Sequence, residues 1–299
     1  MVVAHSRLDL AGDCVRSLRR WLGREDIVVV LNVPSTVDQS DVKALSAKAR
    51  VVSPPAPQGY SANINFGVRE LGKTSELLLL ANDDVVFAGE SLPRLVDCIR
   101  DSPQTGAVGA RLVDADGREA ASFSRFPTLV DLVDASIALP GPLWRRREPH
   151  RAPWEAKAGE RGFPVGAVLL VRRAAFVDVQ GFDEDFFLNW EEADFAFRML
   201  ERGWDVGTCS GATVTHLQGS SISRDANFSS FYISERLYFR KRLGAFRWGL
   251  VELLLAALFL VGVAYDAGVS LARPRQAHGR LTAARQRWRS RVFLRGGGG

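Results

Sequence analysis

A chain of 299 residues with 46% hydrophobic and 24% charged residues has apolar mass for one large α/β core and is too apolar for a disordered polymer. Its net charge of +5 is uneven: 13 basic against two acidic residues from position 236 onward leave residues 1–235 negative by six, which argues against a general nucleic-acid binder. Three widely spaced cysteines, Cys14, Cys98 and Cys209, form no visible disulfide framework or zinc pattern and predict a reducing, cytoplasmic setting, and the start MVVAHSRLDL does not read as a secretory signal.

In chain order, hydrophobic periodicity predicts a short strand over residues 1–4, a helix over 8–22, a strand over 26–31 and a helix over 37–49. A short strand at Val51-Val52, a helix over 61–71 and a buried strand over 76–81 follow. A helix over 92–101, a strand over 107–112 and a turn at Asp114-Ala115-Asp116-Gly117 complete the first half. Alternation of this kind builds a mainly parallel sheet flanked by helices, and such sheets bind ligands beyond the carboxyl ends of their strands. Asn82-Asp83-Asp84 stands at one of those ends, directly after the apolar run Leu77-Leu78-Leu79-Leu80-Ala81. Residues 126–163 are rich in Pro and Arg and predict a mobile loop or short helices that contact acceptor or membrane.

The densest chemistry lies in residues 181–203, GFDEDFFLNWEEADFAFRMLERG, with His216 following. Carboxylates beside apolar bulk are costly to fold, and with Asp83 and Asp84 they supply acids from two distant segments plus an imidazole, the inventory of a metal-assisted group-transfer site. On the residues alone, a structural reading of the second segment is stronger. Asn189-x-x-Glu192 fits a capping box, with Asn189 as N-cap and Glu192 reaching back. Ala193, Ala196, Phe197 and Leu200 predict one buried helical face, with Glu191, Asp194, Arg198 and Glu201 on the other.

Several motifs in order shift that balance. Phe163-Pro164-Val165-Gly166, Gly181-Phe182-Asp183-Glu184-Asp185, Trp190-Glu191-Glu192-Ala193-Asp194 and Val214-Thr215-His216 together resemble the inverting family 2 glycosyltransferases, most of all their rhamnosyltransferase-like and galactofuranosyltransferase-like branches. Asn82-Asp83-Asp84-Val85 stands where that family has its metal motif. The segment from Gly59-Tyr60 through Asn63, Asn65 and Gly67 is similar to its Gly-Phe-x-x-x-x-Asn-x-Gly turn. The resemblance covers roughly residues 1–245 and implies a GT-A type, Rossmann-like mixed sheet. Residues 1–125 form its nucleotide-sugar half, residues 126–245 its acceptor half, and residues 246–299 an apolar helix with a basic, membrane-associated tail.

The resemblance further implies that Asp84 and His216 hold a divalent metal, Mn²⁺ being favoured over Mg²⁺ because imidazole is a softer donor than carboxylate. Asn82 and Asp83 line the diphosphate. Ala4 and Arg7 lie on the loop after the first strand, where Arg7 can pair with phosphate or form an exposed salt bridge. Leu31 replaces a common Asp, leaving Asn32 as a weaker contact to base or ribose; Asn63 and Asn65 approach the nucleotide or satisfy local backbone groups. Glu192 is the candidate general base for inverting transfer, with Glu191 and Asp194 toward the acceptor and Trp190 either stacking on a sugar or packing.

The implied donor is a nucleotide sugar, with rhamnose or galactofuranose as the suggested sugars. The implied acceptor is a lipid-linked saccharide in cell-surface polysaccharide assembly. A bare polyprenyl phosphate as acceptor, and a non-catalytic sugar-binding protein of the same fold, remain alternatives.

Residues 248–272 carry only Glu252 and Asp266 as charges and are flanked by basic residues on both sides, which predicts contact with an anionic membrane surface at its cytoplasmic face. The two carboxylates are 14 residues apart and fall on nearly one helical face. An interfacial or re-entrant helix fits this better than a spanning one, with packing on the catalytic part as the alternative.

Overall fold

The structure is a computed structural model that describes residues 1–130, 132, 162–217 and 224–272. Two compact units form. One holds Met1–Phe126 with the described residues 162–217 and 224–227, and the other holds residues 127–130 and 132 with the described residues from Phe228 onward.

In the first unit the strands are β1 (Val2–Ala4), β2 (Val28–Leu31), β3 (Arg50–Val52), β4 (Leu77–Asn82), β5 (Val85–Phe87), β6 (Thr105–Val113), β9 (Val168–Arg172) and β10 (Asp205–His216), in the sheet order β3-β2-β1-β4-β9-β6-β10-β5. The short pair β7 (Phe123–Arg125) and β8 (Gly162–Pro164) stands apart as a second, two-stranded sheet. Strands β3, β2, β1 and β4 run parallel, β9 is antiparallel to both β4 and β6, and β10 runs parallel to β6. The sheet is therefore mixed and mainly parallel, as expected. Residues Leu78, Leu80, Ala81, Val168 and Val171 are almost wholly buried, which explains why β4 and β9 read as unbroken apolar runs.

Helices α1 (Leu8–Leu18), α2 (Gln39–Ser46), α3 (Tyr60–Glu70), α4 (Ser91–Arg100), α5 (Arg173–Asp178) and α6 (Glu191–Glu201) complete this unit. A 3-10 turn, Pro34–Thr36, precedes α2, and Asp38 caps that helix by accepting a hydrogen bond from Ser40 N at 2.7 Å. The expected α1 is shorter than its apolar pattern because residues 19–21 already turn away.

Two sequence expectations are corrected. Cys98 on α4 and Cys209 on β10 form a disulfide across 111 residues, since α4 packs on β10; Cys14 remains a buried thiol. Helix α6 has no Asn189 capping box. Asn189 and Trp190 both adopt left-handed backbone, with φ of 67° and 69°, Trp190 is the N-cap, and no side chain caps the helix.

The second unit contains α7 (Arg224–Leu243), whose residues from Phe228 belong to it, and α8 (Ala245–Ala272), joined at Gly244 with φ of 77°. Among the described residues no helix is long and apolar enough to cross a membrane. Residues 133–161 and the basic tail 273–299, to which sequence features were assigned, lie outside the described residues.

Candidate active site

The apolar run of β4 delivers Asn82, Asp83 and Asp84 to the carboxyl end of a central strand, beside the end of β1. The chain then reverses at once into β5, whose Val85 pairs with His216 in the antiparallel ladder. That register brings the imidazole to the acid: His216 Nε2 lies 3.2 Å from Asp84 Oδ1, and Leu217 N donates to the Asp84 carbonyl at 2.9 Å. Both aspartates are buried; Asp83 Oδ2 has no hydrogen-bond partner among the described residues, and Asp84 Oδ1 faces the His216 imidazole. Burial, then repulsion by Asp84, pushes the Asp83 carboxyl up to about 7. Buried oxygens without donors are what a cation or the protons of a ligand would satisfy. Asp84 and His216 supply one oxygen and one nitrogen donor, a set that suits a divalent ion whose other positions come from phosphate oxygens and water. Among the described residues, no three acidic, histidine or cysteine side chains cluster to cage an ion by themselves.

The second acid pair comes from α6. Left-handed backbone at Asn189 and Trp190 is costly for side-chain-bearing residues, about 1 to 3 kcal/mol each, and such strain concentrates at functional sites. Here it turns the chain so that Glu191 and Glu192 occupy the first two helical positions. Glu191 is buried, Glu192 keeps some exposure, and Glu191 Oε2 and Glu192 Oε2 lack hydrogen-bond partners among the described residues. Burial raises both carboxyls, with repulsion by Glu192 adding to Glu191, and with the backbone N–H groups of Glu192 itself and then of Gly166 moderating Glu192. A Cβ on Gly166 would stand 3.4 Å from Glu192 Cβ, in ordinary van der Waals contact, so Gly166 lies directly against this acid.

Tyr60, at the start of α3, joins the two acid groups. Its hydroxyl donates a 2.7 Å hydrogen bond to Asn82 Oδ1, and its backbone N–H donates to the Phe187 carbonyl at 2.6 Å. Burial holds the phenol well above its ordinary value, reinforced in turn by Glu191, Glu192, Asp83 and Asp84, so all four carboxylates lie within its electrostatic reach. Gly59 makes this approach possible: a Cβ there would stand 2.8 Å from the Phe187 backbone. Tyr60 was not singled out as a site residue by the sequence, although it lies inside the Gly59 motif.

The remaining candidates fall elsewhere. Asn32 donates to the Gln58 carbonyl at 3.0 Å and accepts from Gln58 N at 2.9 Å, which fixes the turn before Gly59 and occupies the amide proposed for base or ribose. Asn63 bonds Gln58 from the other side, accepting from Gln58 Nε2 at 3.2 Å. Asn65 bridges 117 residues, accepting from Phe182 N and donating to the Phe182 carbonyl and to Glu184, so it pins the 182–184 loop instead of facing a nucleotide. The Ala4 carbonyl accepts from Asn32 N at 3.0 Å at the buried end of β1. Arg7 is exposed and forks onto Asp9, the salt-bridge alternative. Trp190 is buried, which favours packing over stacking on a sugar. Asp194 is also buried, against the expected polar face, and meets Arg198 Nε at 2.6 Å; Arg198 in turn bonds the Gly181 carbonyl at 2.8 Å. Helix α6 thus buries Phe195 and Met199 while Phe197 and Leu200 are only half-buried.

Residues 1–240 match the family model described as glycosyltransferase like family 2. An N-acetylglucosaminyl-diphospho-decaprenol L-rhamnosyltransferase of Mycobacterium tuberculosis is 30% identical over 194 residues, 59% of this chain and 61% of that enzyme. The chain therefore spans about three fifths of the length of that relative. The low-salt glycan biosynthesis hexosyltransferase Agl10 of Haloferax volcanii is 22% identical over 231 residues, 72% of this chain and 69% of that protein. In backbone, the chain is similar to the mannosyltransferase PcManGT of Pyrobaculum calidifontis, solved in complex with GDP-Man and Mn²⁺, with a TM-score of 0.52 at 13% identity over 97% of this chain and 84% of that one. The last comparison speaks to the fold, which is the mixed α/β arrangement of the GT-A type. With the match running through β4, α6 and β10, the chain belongs to the family described as glycosyltransferase like family 2.

Proposed function

We propose that this chain transfers a sugar, with inversion, from a nucleotide-sugar donor to a lipid-linked saccharide, at the cytoplasmic face of a membrane and with the help of a divalent metal. The observation that carries the reading is that the Asp84–His216 pair and the neighbouring Glu191 and Glu192 come together around the buried Tyr60. Breaking a sugar–phosphate bond develops charge on the diphosphate, which needs neutralising. Activating the attacking hydroxyl needs a base on the opposite face of the sugar.

Asp84 and His216 would hold the ion, which when bound supplies Lewis-acid stabilisation of the leaving diphosphate. Mn²⁺ suits this oxygen and nitrogen pair, and Mg²⁺ is the second choice. Asn82, its carbonyl oxygen tied by Tyr60, is left with its amide N–H groups for the donor. Arg7, paired only with its neighbour Asp9 among the described residues, can exchange that carboxylate for phosphate. Glu192 accepts the proton of the acceptor hydroxyl; its remaining exposure favours it over the buried Glu191. The lipid-linked acceptor, and rhamnose as one candidate sugar, draw support from the name of the Mycobacterium tuberculosis relative.

A panel of nucleotide sugars scored for metal-dependent nucleotide release, with and without a lipid extract carrying preformed saccharides, tests the reading. Release stimulated by the extract and abolished by a chelator is expected. Release that is indifferent to metal sinks the metal assignment, and stimulation by bare polyprenyl phosphate alone replaces the saccharide acceptor.

A further inference from the structure

Helix α8 divides its side chains in a way the sequence conceals. Trp248 and Leu255 are buried, and the Trp248 ring stacks parallel to Phe239 of α7 with centroids 6.5 Å apart. Glu252 pairs with Arg236 of α7, whose guanidinium also lies over the Trp248 ring at 5.8 Å. The charge at Glu252 therefore points into the helical pair and does not mark a water-facing stripe. The opposite face is apolar and open: Phe246 is 81% exposed, Leu253 70% and Leu260 65%, with Leu250, Leu254 and Val261 completing the row. Their recurrence at separations of three, four and seven residues keeps them on one side. From position 246 to 261 the row runs for roughly 22 Å, at about 1.5 Å per residue.

An exposed apolar stripe of this length is not a feature of an ordinary water-facing helix. Its occupant is indicated by charge. Arg240, Lys241 and Arg247 are all exposed around the α7–α8 corner, beside the first residues of the row. A basic corner next to an apolar helical face matches a bilayer whose headgroups are anionic, with the helix lying in the interface plane. A second copy of this chain would bring a like basic corner with it. We infer that the Phe246, Leu250, Leu253, Leu254, Leu260 and Val261 face of α8 inserts flat into an anionic lipid surface, with Glu252 and Arg236 turned away from it. This rests on the membrane setting proposed above and specifies the face, the orientation and the lipid charge.

The test uses the full chain and its Leu253→Glu/Leu260→Glu variant in co-sedimentation with phosphatidylcholine vesicles, with and without phosphatidylglycerol. The full chain should bind the anionic vesicles and do so less in high salt. The variant, altered only on the open face, should keep its melting temperature and lose binding on the order of 100-fold. Equal binding by variant and parent overturns the inference, as does parent binding that ignores phosphatidylglycerol. Self-association of the parent in lipid-free solution that the variant abolishes, with vesicle binding unchanged, assigns the face to a second copy. Nucleotide release measured on the same samples separates the two readings: release without vesicle binding removes this inference alone, and vesicle binding without release on any donor removes the proposed function alone.

Discussion

The hydroxyl of Tyr60 and the carboxamide of Asn82 are joined at 2.7 Å, which ties the first turn of α3 to the end of β4. Because burial and four carboxylates keep the phenol protonated, the bond has one direction, O–H to Oδ1, and Asn82 is held in one amide orientation. Replacing Tyr60 with Phe removes the donor and leaves a buried acceptor, a loss of about 1 kcal/mol of stability. It should also raise the donor KM more than it lowers kcat, since Asn82 would be free to flip. Steady-state kinetics beside a denaturation curve check this; an unchanged donor KM would leave Tyr60 a packing residue.

Asp84→Asn should abolish metal-dependent donor turnover, while Asp83→Asn should be milder. Asp84 holds its buried Oδ1 beside the His216 imidazole, so its charge is the one an ion would meet directly. Metal titrations followed by nucleotide release distinguish the two substitutions. Wild-type metal affinity in Asp84→Asn would move the ion elsewhere.

How much of this was legible depended on the range of the contacts. The Leu77–Asn82 strand announced itself through an apolar run, and its end fixed the place of Asp84 from local sequence alone. His216 needed the family resemblance, because its meeting with Asp84 depends on the β5–β10 register across more than 130 residues. Asn65 was misread for the same reason: its partner Phe182 is 117 residues away, and an amide in a turn motif looks available until the partner is seen. The Asn189–Glu192 spacing satisfied the capping-box pattern, yet that pattern presumes an extended N-cap, whereas Asn189 and Trp190 are both left-handed. Backbone at positive φ for a tryptophan has no sequence signature. Nor does the pairing of Cys98 with Cys209, which only the packing of α4 on β10 creates.

The buried Asp194–Arg198 pair predicts a purely structural effect. Arg198 Nη1 also bonds the Val179 and Gly181 carbonyls, so loss of the acid strands a cation that holds the chain before the 182–187 loop. Asp194→Ala should cost about 3 kcal/mol in chemical denaturation. Nucleotide release per folded molecule should stay within a few-fold of the parent. A stable variant with lost acceptor affinity would return Asp194 to the acceptor site.

The last prediction concerns Glu192, where a structural and a catalytic role compete. With the capping box gone, its carboxyl sits against the Gly166 backbone N–H, which a glutamine can still satisfy through its carbonyl. Glu192→Gln should therefore keep the fold and reduce the repulsion that raises Glu191. As a general base it would be lost, a fall in transfer on the order of 10² to 10⁴ with donor binding retained. The pH dependence supplies a sign that packing alone cannot give. A carboxyl raised in the folded state binds more protons there than in the unfolded chain. Its contribution to stability is thus present in full below the unfolded value and is lost as pH rises through the raised folded value. Transfer must follow the opposite course, rising with pH over that same window as the base deprotonates. The parent should show activity climbing above the ordinary carboxylate range while its melting temperature declines. In Glu192→Gln the decline should be shallower and the residual activity flat across the window. An active Glu192→Gln enzyme with the parent's pH profile would assign the base to Glu191.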